Sequence, residues 1–149
     1  MTLPDIISEK VVRVPLISYT KTEVIKELIH VLKNAGKISE FEATYDAVIA
    51  RENLGPTGLE GGIAVPHAQT AAVQNLTVAL GISPDGVDFG AVDGKPSQLI
   101  FLILSHPDQS GPYLELLAEI ARMTQYKSFC DMLISAASAK EVMNIFHEE

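Results

Sequence analysis

Cysteine is nearly absent. Cys130 is the only one in 149 residues, which excludes an intrachain disulfide and any multi-cysteine zinc site. It lies in an apolar stretch with a helical pattern, where a small buried hydrophobe is expected rather than a reactive thiol. Long hydrophobic runs are also missing. The longest, Leu99–Leu104, is too short to span a bilayer, and the first ten residues lack the basic-then-apolar order of a signal peptide. Positive charge is scarce: 11 Lys and Arg stand against 19 Asp and Glu, a net charge of −8. Binding to a phosphate backbone needs a basic surface, so nucleic acid is not an expected partner. These absences together point to a soluble protein of a reducing cytoplasm.

The rest of the composition, 47% hydrophobic and 20% charged, is ordinary for a globular chain. The length suits one domain over residues 1–149, large enough to bury a core without staples. Val11–Val14 reads as a strand ended by Pro15. Thr20 with Glu23 has the capping-box form and opens a helix whose face holds Val24, Ile25, Leu28, Val31 and Leu32, ending near Gly36. Ser39 with Glu42 forms a second box, for a helix with Phe41, Tyr45, Val48 and Ile49 inward that ends near Gly55. From Gly55 to Gly62 the chain holds four of its ten glycines, marking a tight irregular loop.

Beyond this loop Ile63–Val65 is a short extended piece that runs into Pro66 and His67. A strand follows around Leu76, Val78, Leu80 and Ile82, then a short edge segment at Gly86–Phe89. Leu99–Leu104 reads as a central strand buried on both faces. Pro112 suits the first turn of a helix with Leu114, Leu117, Ile120 and Ala121 inward. A weaker helix covers Phe129–Ile134. Ser138 with Glu141 is a third capping box, opening a terminal helix through Phe146. The order is strand, two helices, several strands, three helices, which predicts a three-layer α/β/α domain with a mixed sheet.

Chemistry rests on four histidines. His30 sits within a helix as a packed or half-exposed residue, and His147 complements the dipole in a last helical turn. Neither has partners at metal-ligand spacing, and no metal or cofactor site is expected. His106, in Ser105-His106-Pro107, is expected in a loop at the end of the central strand, from which it could approach His67.

His67 differs in context, since Pro66 restricts the backbone and holds Val65 extended where a rigid segment passes into a loop. Such a mount fixes the direction of a side chain, as a phosphoryl-transfer nucleophile requires. Imidazole is largely neutral at cellular pH and forms a reversible phosphoramidate. On residue type alone an ordinary loop histidine is the commoner outcome. Arg51, one loop upstream, could grip phosphate with two prongs or simply complement its helix end. Thr57 could add a hydroxyl, and Gly58, Gly61 and Gly62 could leave backbone N–H groups approachable. No Gly-Lys-Ser/Thr follows the loop, so it is not a P-loop.

The blocks Arg51-Glu52-Asn53-Leu54-Gly55-Pro56-Thr57-Gly58 and Gly62-Ile63-Ala64-Val65-Pro66-His67-Ala68 resemble, in order and separation, the mannitol/fructose-type EIIA family of the bacterial phosphoenolpyruvate-dependent phosphotransferase system. Val87–Pro96, with Phe89-Gly90-Ala91-Val92-Asp93-Gly94, is similar to the fructose branch in particular. The resemblance covers nearly the whole chain. It implies that His67 takes a phosphoryl group from phospho-HPr on Nε2 and passes it to a cysteine of an EIIB partner. It also implies that Arg51 helps hold that group and that Thr57 supports the loop or donates to it. Contact with a membrane would come only indirectly, through an EIIC permease.

The family often places a second histidine at the start of the helix after the central strand. Tyr113 occupies that position here, a phenol that can donate a hydrogen bond but stays neutral at pH 7. Two alternatives accompany sugar transport: a regulatory phosphoprotein like the nitrogen-type EIIA branch, and a binding module that keeps the fold without onward transfer, which Tyr113 suggests.

Overall fold

Thr20 starts the first long helix for the reason its sequence suggests. Its hydroxyl accepts from the Glu23 amide at 3.3 Å, and the helix runs Lys21–Asn34 until Gly36 turns the chain at φ +75°. The computed structural model describes residues 2–123 and 125–148; Met1, Thr124 and Glu149 of the expected 1–149 unit lie outside the described residues. In chain order the elements are α1 (Leu3–Ile6), a 3-10 turn (Glu9–Val11), β1 (Val12–Arg13), α2 (Lys21–Asn34), α3 (Phe41–Leu54), β2 (Ile63–Ala64) and β3 (His67–Gln69). Then follow β4 (Thr77–Val87), β5 (Ser97–Ser105), a 3-10 turn (Pro107–Gln109), α4 (Ser110–Met123), α5 (Lys127–Ser135) and α6 (Ala139–Glu148).

The five strands form one mixed sheet in the order β1-β4-β5-β2, with β3 also paired to β5. β5 is the centre, and Leu99–Leu104 is fully buried, as a strand covered on both faces must be. It runs antiparallel to β4, Leu80 opposite Phe101. On its other side β2 and β3 share one edge, both parallel, with Ala64 opposite Ile100 and His67 opposite Ile103. Helices α2 and α3 pack on each other and on β4 and β3 respectively, while α4 and α5 pack on β5. The architecture is the expected three-layer α/β/α one, with the short α1 added at the start.

Several local expectations need correction. Ser39 and Glu42 make no capping box: Glu40 is the N-cap of α3 without a side-chain bond, and the Thr44 hydroxyl donates to its carbonyl at 2.6 Å. The buried stripe of α3 is Thr44, Val48 and Glu52, spaced one turn apart. Phe41 and Tyr45 lie instead along the seam with α2, where Phe41 stacks on His30 at 4.3 Å. The inner face of α4 keeps Ile120 but otherwise shifts by one residue, because adjacent apolar positions offered two registers: Tyr113, Leu116 and Met123 are buried, Leu117 is only partly so and Leu114 is 61% exposed. Gly86 and Val87 are not a separate edge segment but the end of β4 beyond an irregularity after Ile82.

Candidate functional site

Pro66 ends one extended piece and His67 begins the next. His67 is therefore the first residue of β3 rather than a loop residue, with the Pro66 carbonyl accepting from Ile103 N at 3.0 Å. Its Nδ1 lies 2.6 Å from the Val65 carbonyl oxygen. A carbonyl only accepts, so Nδ1 carries the proton and the lone pair lies on Nε2. Burial pushes the His67 pKa below its ordinary 6.5; the bond to Val65 opposes this, and the nearby positive charge of Arg51 adds to it. The imidazole is thus neutral near pH 7, with one nitrogen tied and the other carrying the lone pair.

Arg51 stands in the last turn of α3. Its Nη1 donates to the Gly55 carbonyl at 3.1 Å, satisfying an orphan acceptor of the helix end. The helix-end reading is thus met, and its charge also acts on both His67 and Tyr113. Tyr113 is brought to the same place from α4, its ring 5.9 Å from that of His67 between centroids. Burial raises its pKa to about 12, against the opposing pull of Arg51, so the phenol keeps its proton across the physiological range.

Thr57 is buried, and its hydroxyl donates to Glu52 Oε1. A hydroxyl has one proton to give, so in this conformation Thr57 supports the loop and offers no donor to a ligand. The other oxygen of Glu52 meets Lys21 Nζ at 3.2 Å, with the Glu52 side chain only 3% exposed. Neither Lys21 nor Glu52 was assigned a role from sequence. The available signal was a carboxylate one turn beyond Val48 on the buried stripe of α3, a position ordinarily apolar.

Two of the loop glycines are engaged within the protein. A Cβ on Gly58 would come within 2.9 Å of Ala91 Cα, and the Gly61 amide is already donated to Asp93 at 3.2 Å. The Gly58 block and the Phe89-Gly90-Ala91 block, far apart in sequence, are thus seated on each other. Asp93 also accepts from Lys95 N at 3.0 Å, and these amide bonds hold its carboxyl below the usual range.

His30 and His106 find their partners elsewhere. His106 caps the turn after β5, its Nδ1 accepting from Asp108 N at 3.2 Å. His30 stacks on Phe41, and His147 lies in the last turn of α6. Cys130 is buried with its thiol on the Met123 carbonyl at 3.3 Å, and burial raises its pKa. No cluster among the described residues could hold a metal ion, and no described helix is long and apolar enough to cross a membrane. A cavity of about 560 Å³ lined by Glu60, Asp85, Asp93, Lys95 and Cys130 lies apart from the His67 group. The convergent set is therefore His67, Arg51 and Tyr113, backed by Thr57 and Glu52. Chemically it offers a neutral nitrogen nucleophile, a guanidinium and a phenol.

Comparison with known proteins yields concordant matches. Residues 5–149 match the family described as phosphoenolpyruvate-dependent sugar phosphotransferase system, EIIA 2. The chain is 34% identical over 129 residues to the fructose-specific EIIA component of Haloferax volcanii, covering 87% of this chain and 84% of that protein. It is 32% identical over 148 residues to the fructose-specific EIIABC component of Bacillus subtilis, spanning 99% of this chain but 23% of that protein. The crystal structure of nitrogen regulatory protein IIA-Ntr from Neisseria meningitidis superposes with a TM-score of 0.87 at 31% identity, covering 96% of this chain and 97% of that one.

Proposed function

This chain belongs to the EIIA 2 family of the phosphoenolpyruvate-dependent sugar phosphotransferase system, and on that premise we propose that His67 is its phosphoryl acceptor, charged by phospho-HPr and discharged to a cysteine of an EIIB partner. Membership makes the chain a phosphotransfer component; the route through His67 is the further step. The observation that carries it is the hydrogen bond from Nδ1 to the Val65 carbonyl, which leaves the Nε2 lone pair for phosphorus.

The Nε2–P bond forms as the bond from phosphorus to the donor breaks, and the donor keeps that electron pair. Nδ1 retains its proton, so the ring takes on positive charge that the Val65 carbonyl stabilises. In the onward step an EIIB thiolate forms a P–S bond and the N–P electron pair returns to Nε2. Arg51 neutralises charge on the phosphoryl oxygens, and Tyr113 donates to one of them from the family's second-histidine position. HPr and EIIB would meet the domain in the cytoplasm, with a membrane reached only through EIIC.

The fructose-specific relatives favour sugar transport. The likeness to IIA-Ntr supports a second reading, in which the phosphorylated state is sensed by a regulatory partner through the same histidine. Intact-mass spectrometry after incubation with phosphoenolpyruvate, Enzyme I and HPr tests both. One phosphoryl group should be gained, and His67→Ala should stay folded and gain none. A labelled His67→Ala protein refutes the site, and an unlabelled native chain with cognate donors favours the binding-module reading. Arg51→Ala should slow labelling about 100-fold, the usual cost of losing one charge-stabilising donor; an unchanged rate removes Arg51 from its role.

A further inference from the structure

Glu52 is a carboxylate inside the protein with both oxygens committed. Oε2 meets Lys21 Nζ at 3.2 Å, and Oε1 accepts the Thr57 hydroxyl. From Thr57 the bonding continues through the backbone: its carbonyl accepts from Val65 N at 3.0 Å. The carbonyl of the same Val65 then accepts from His67 Nδ1 at 2.6 Å. Lys21, Glu52, Thr57, Val65 and His67 thus form one unbroken chain of polar contacts from the start of α2 to the imidazole.

We propose that Glu52 is a positioning residue, pinned by Lys21, that fixes the orientation and tautomer of His67 through Thr57 and Val65. Glu52 touches neither substrate nor the reacting atoms. Its effect is to lock the loop whose Val65 carbonyl decides which ring nitrogen holds the proton. A buried carboxylate deprived of its partners is costly, so the arrangement strongly favours the one loop position that satisfies both oxygens. A hydrophobic residue at this point of α3 could fill the space, but it could not hold the Thr57 hydroxyl. The pattern is that of a nucleophile held by a supporting set of hydrogen bonds. Lys21 adds a second anchor, its ammonium lying 6.0 Å from the centroid of the buried Phe89 ring. The block containing Phe89 is thereby tied to the same chain of contacts.

The role in transfer rests on His67 being the phosphoryl acceptor; the effect on the tautomer does not. The test is the position of the imidazole proton, read from long-range ¹H–¹⁵N correlations of His67 in uniformly ¹⁵N-labelled protein at pH 7.5. It is paired with the rate of phosphorylation by phospho-HPr. Native protein and Thr57→Ser should hold the proton on Nδ1. Thr57→Val, which removes the hydroxyl at nearly constant volume, should move a clear fraction to Nε2 and lower the maximal labelling rate about 10- to 100-fold, with the KM for phospho-HPr unchanged. Glu52→Gln, which keeps an oxygen for Thr57, should retain the Nδ1 tautomer, and Glu52→Ala should lose it.

A folded Thr57→Val protein with its proton on Nδ1 and a native labelling rate overturns the proposal. If the tautomer moves as stated but the native chain takes no phosphoryl group, the positioning role stands and the carrier reading falls. Should Glu52→Ala fail to fold, the Thr57 pair alone decides.

Discussion

Gly58→Ala probes the contact on which the loop before His67 depends. The added Cβ would stand 2.9 Å from Ala91 Cα, 3.0 Å from Ala91 N and 3.1 Å from Ala91 Cβ. Carbon atoms rest about 3.5–4.0 Å apart, so the two segments must separate by about 0.5–1 Å. Two of these three neighbouring atoms are backbone, which cannot rotate away. Gly90 beside them sits at φ +67°, against Pro56 of the first segment, so retreat of one block disturbs the other. Overpacking of this kind costs about 1–3 kcal/mol. At about 2–4 °C per kcal/mol for a chain of this length, a cost of about 2 kcal/mol lowers Tm by about 4–8 °C. Differential scanning calorimetry reads this directly, and labelling by phospho-HPr should slow as well because Thr57 is the adjacent residue. Gly111→Ala, where nothing lies within 4 Å of the new Cβ, is the control and should hold or slightly raise Tm. A Gly58→Ala protein with native Tm and rate would refute the seating of Ala91 on the Thr57 loop.

Phosphorylation rate measured against pH should show one acidic limb lying below 6.5, since burial lowers the His67 pKa and a protonated ring has no lone pair at Nε2; a limb above 6.5 contradicts this. The same shift has a sign for stability: the unfolded chain takes up the His67 proton more readily, so stability falls as pH drops from about 6.5 toward the lower folded pKa. Chemical denaturation at pH 7.5 and 5.5 should show a smaller loss in His67→Gln, and an equal loss would dismiss His67 as a source. Arg51→Gln should raise the His67 pKa, because the guanidinium charge lowers it, and a ¹H NMR titration showing no rise would count against their proximity. Tyr113→Phe should keep the fold and slow labelling about fivefold, the worth of about one neutral hydrogen bond; an unchanged rate removes the phenol from the transfer.

Architecture was legible because hydrophobic pattern and punctuation agreed. The continuous apolar run Leu99–Leu104 read as an interior strand and is one, and Thr20 with Glu23 marked a helix start that forms as read. What failed was register and burial of polar residues. Leu114 and Leu117 sit one position from Tyr113 and Leu116, so two apolar stripes competed on α4, and the packed one carries the tyrosine inward. Ser39 and Glu42 matched a capping box by type, but the backbone began its helix one residue later.

The site was legible as a set of blocks and only partly as geometry. Arg51, His67 and Tyr113 come together because α3, β3 and α4 all approach the same part of β5 or its edge, which spacing alone does not reveal. Glu52 was visible beside Arg51 but not interpretable: only the buried stripe of α3 shows that its neighbours are Lys21 and Thr57. Likewise Gly58, read as an opening for phosphate, is a space against which Ala91 packs.

The distribution of charge explains how such a site could both take and release a phosphoryl group under the proposed roles. Glu52 is paired with Lys21 in the interior, yet its negative charge still reaches His67, where it opposes the positive charge of Arg51. Arg51 is the cation whose influence reaches both His67 and Tyr113. Tyr113, with its pKa raised to about 12, contributes a donor without a charge. A histidine at that position would titrate near neutrality and add a second, variable positive charge beside the phosphoryl oxygens. A carrier gains nothing from binding its cargo more tightly than its donor and acceptor do, because uniform stabilisation of a bound state does not speed its departure. Under those roles, one guanidinium and one neutral phenol give a site whose own donors keep the same charge across physiological pH. Of these three side chains the imidazole is the one that titrates near neutrality, its neutral form favoured by burial and its free nitrogen set by the Val65 carbonyl.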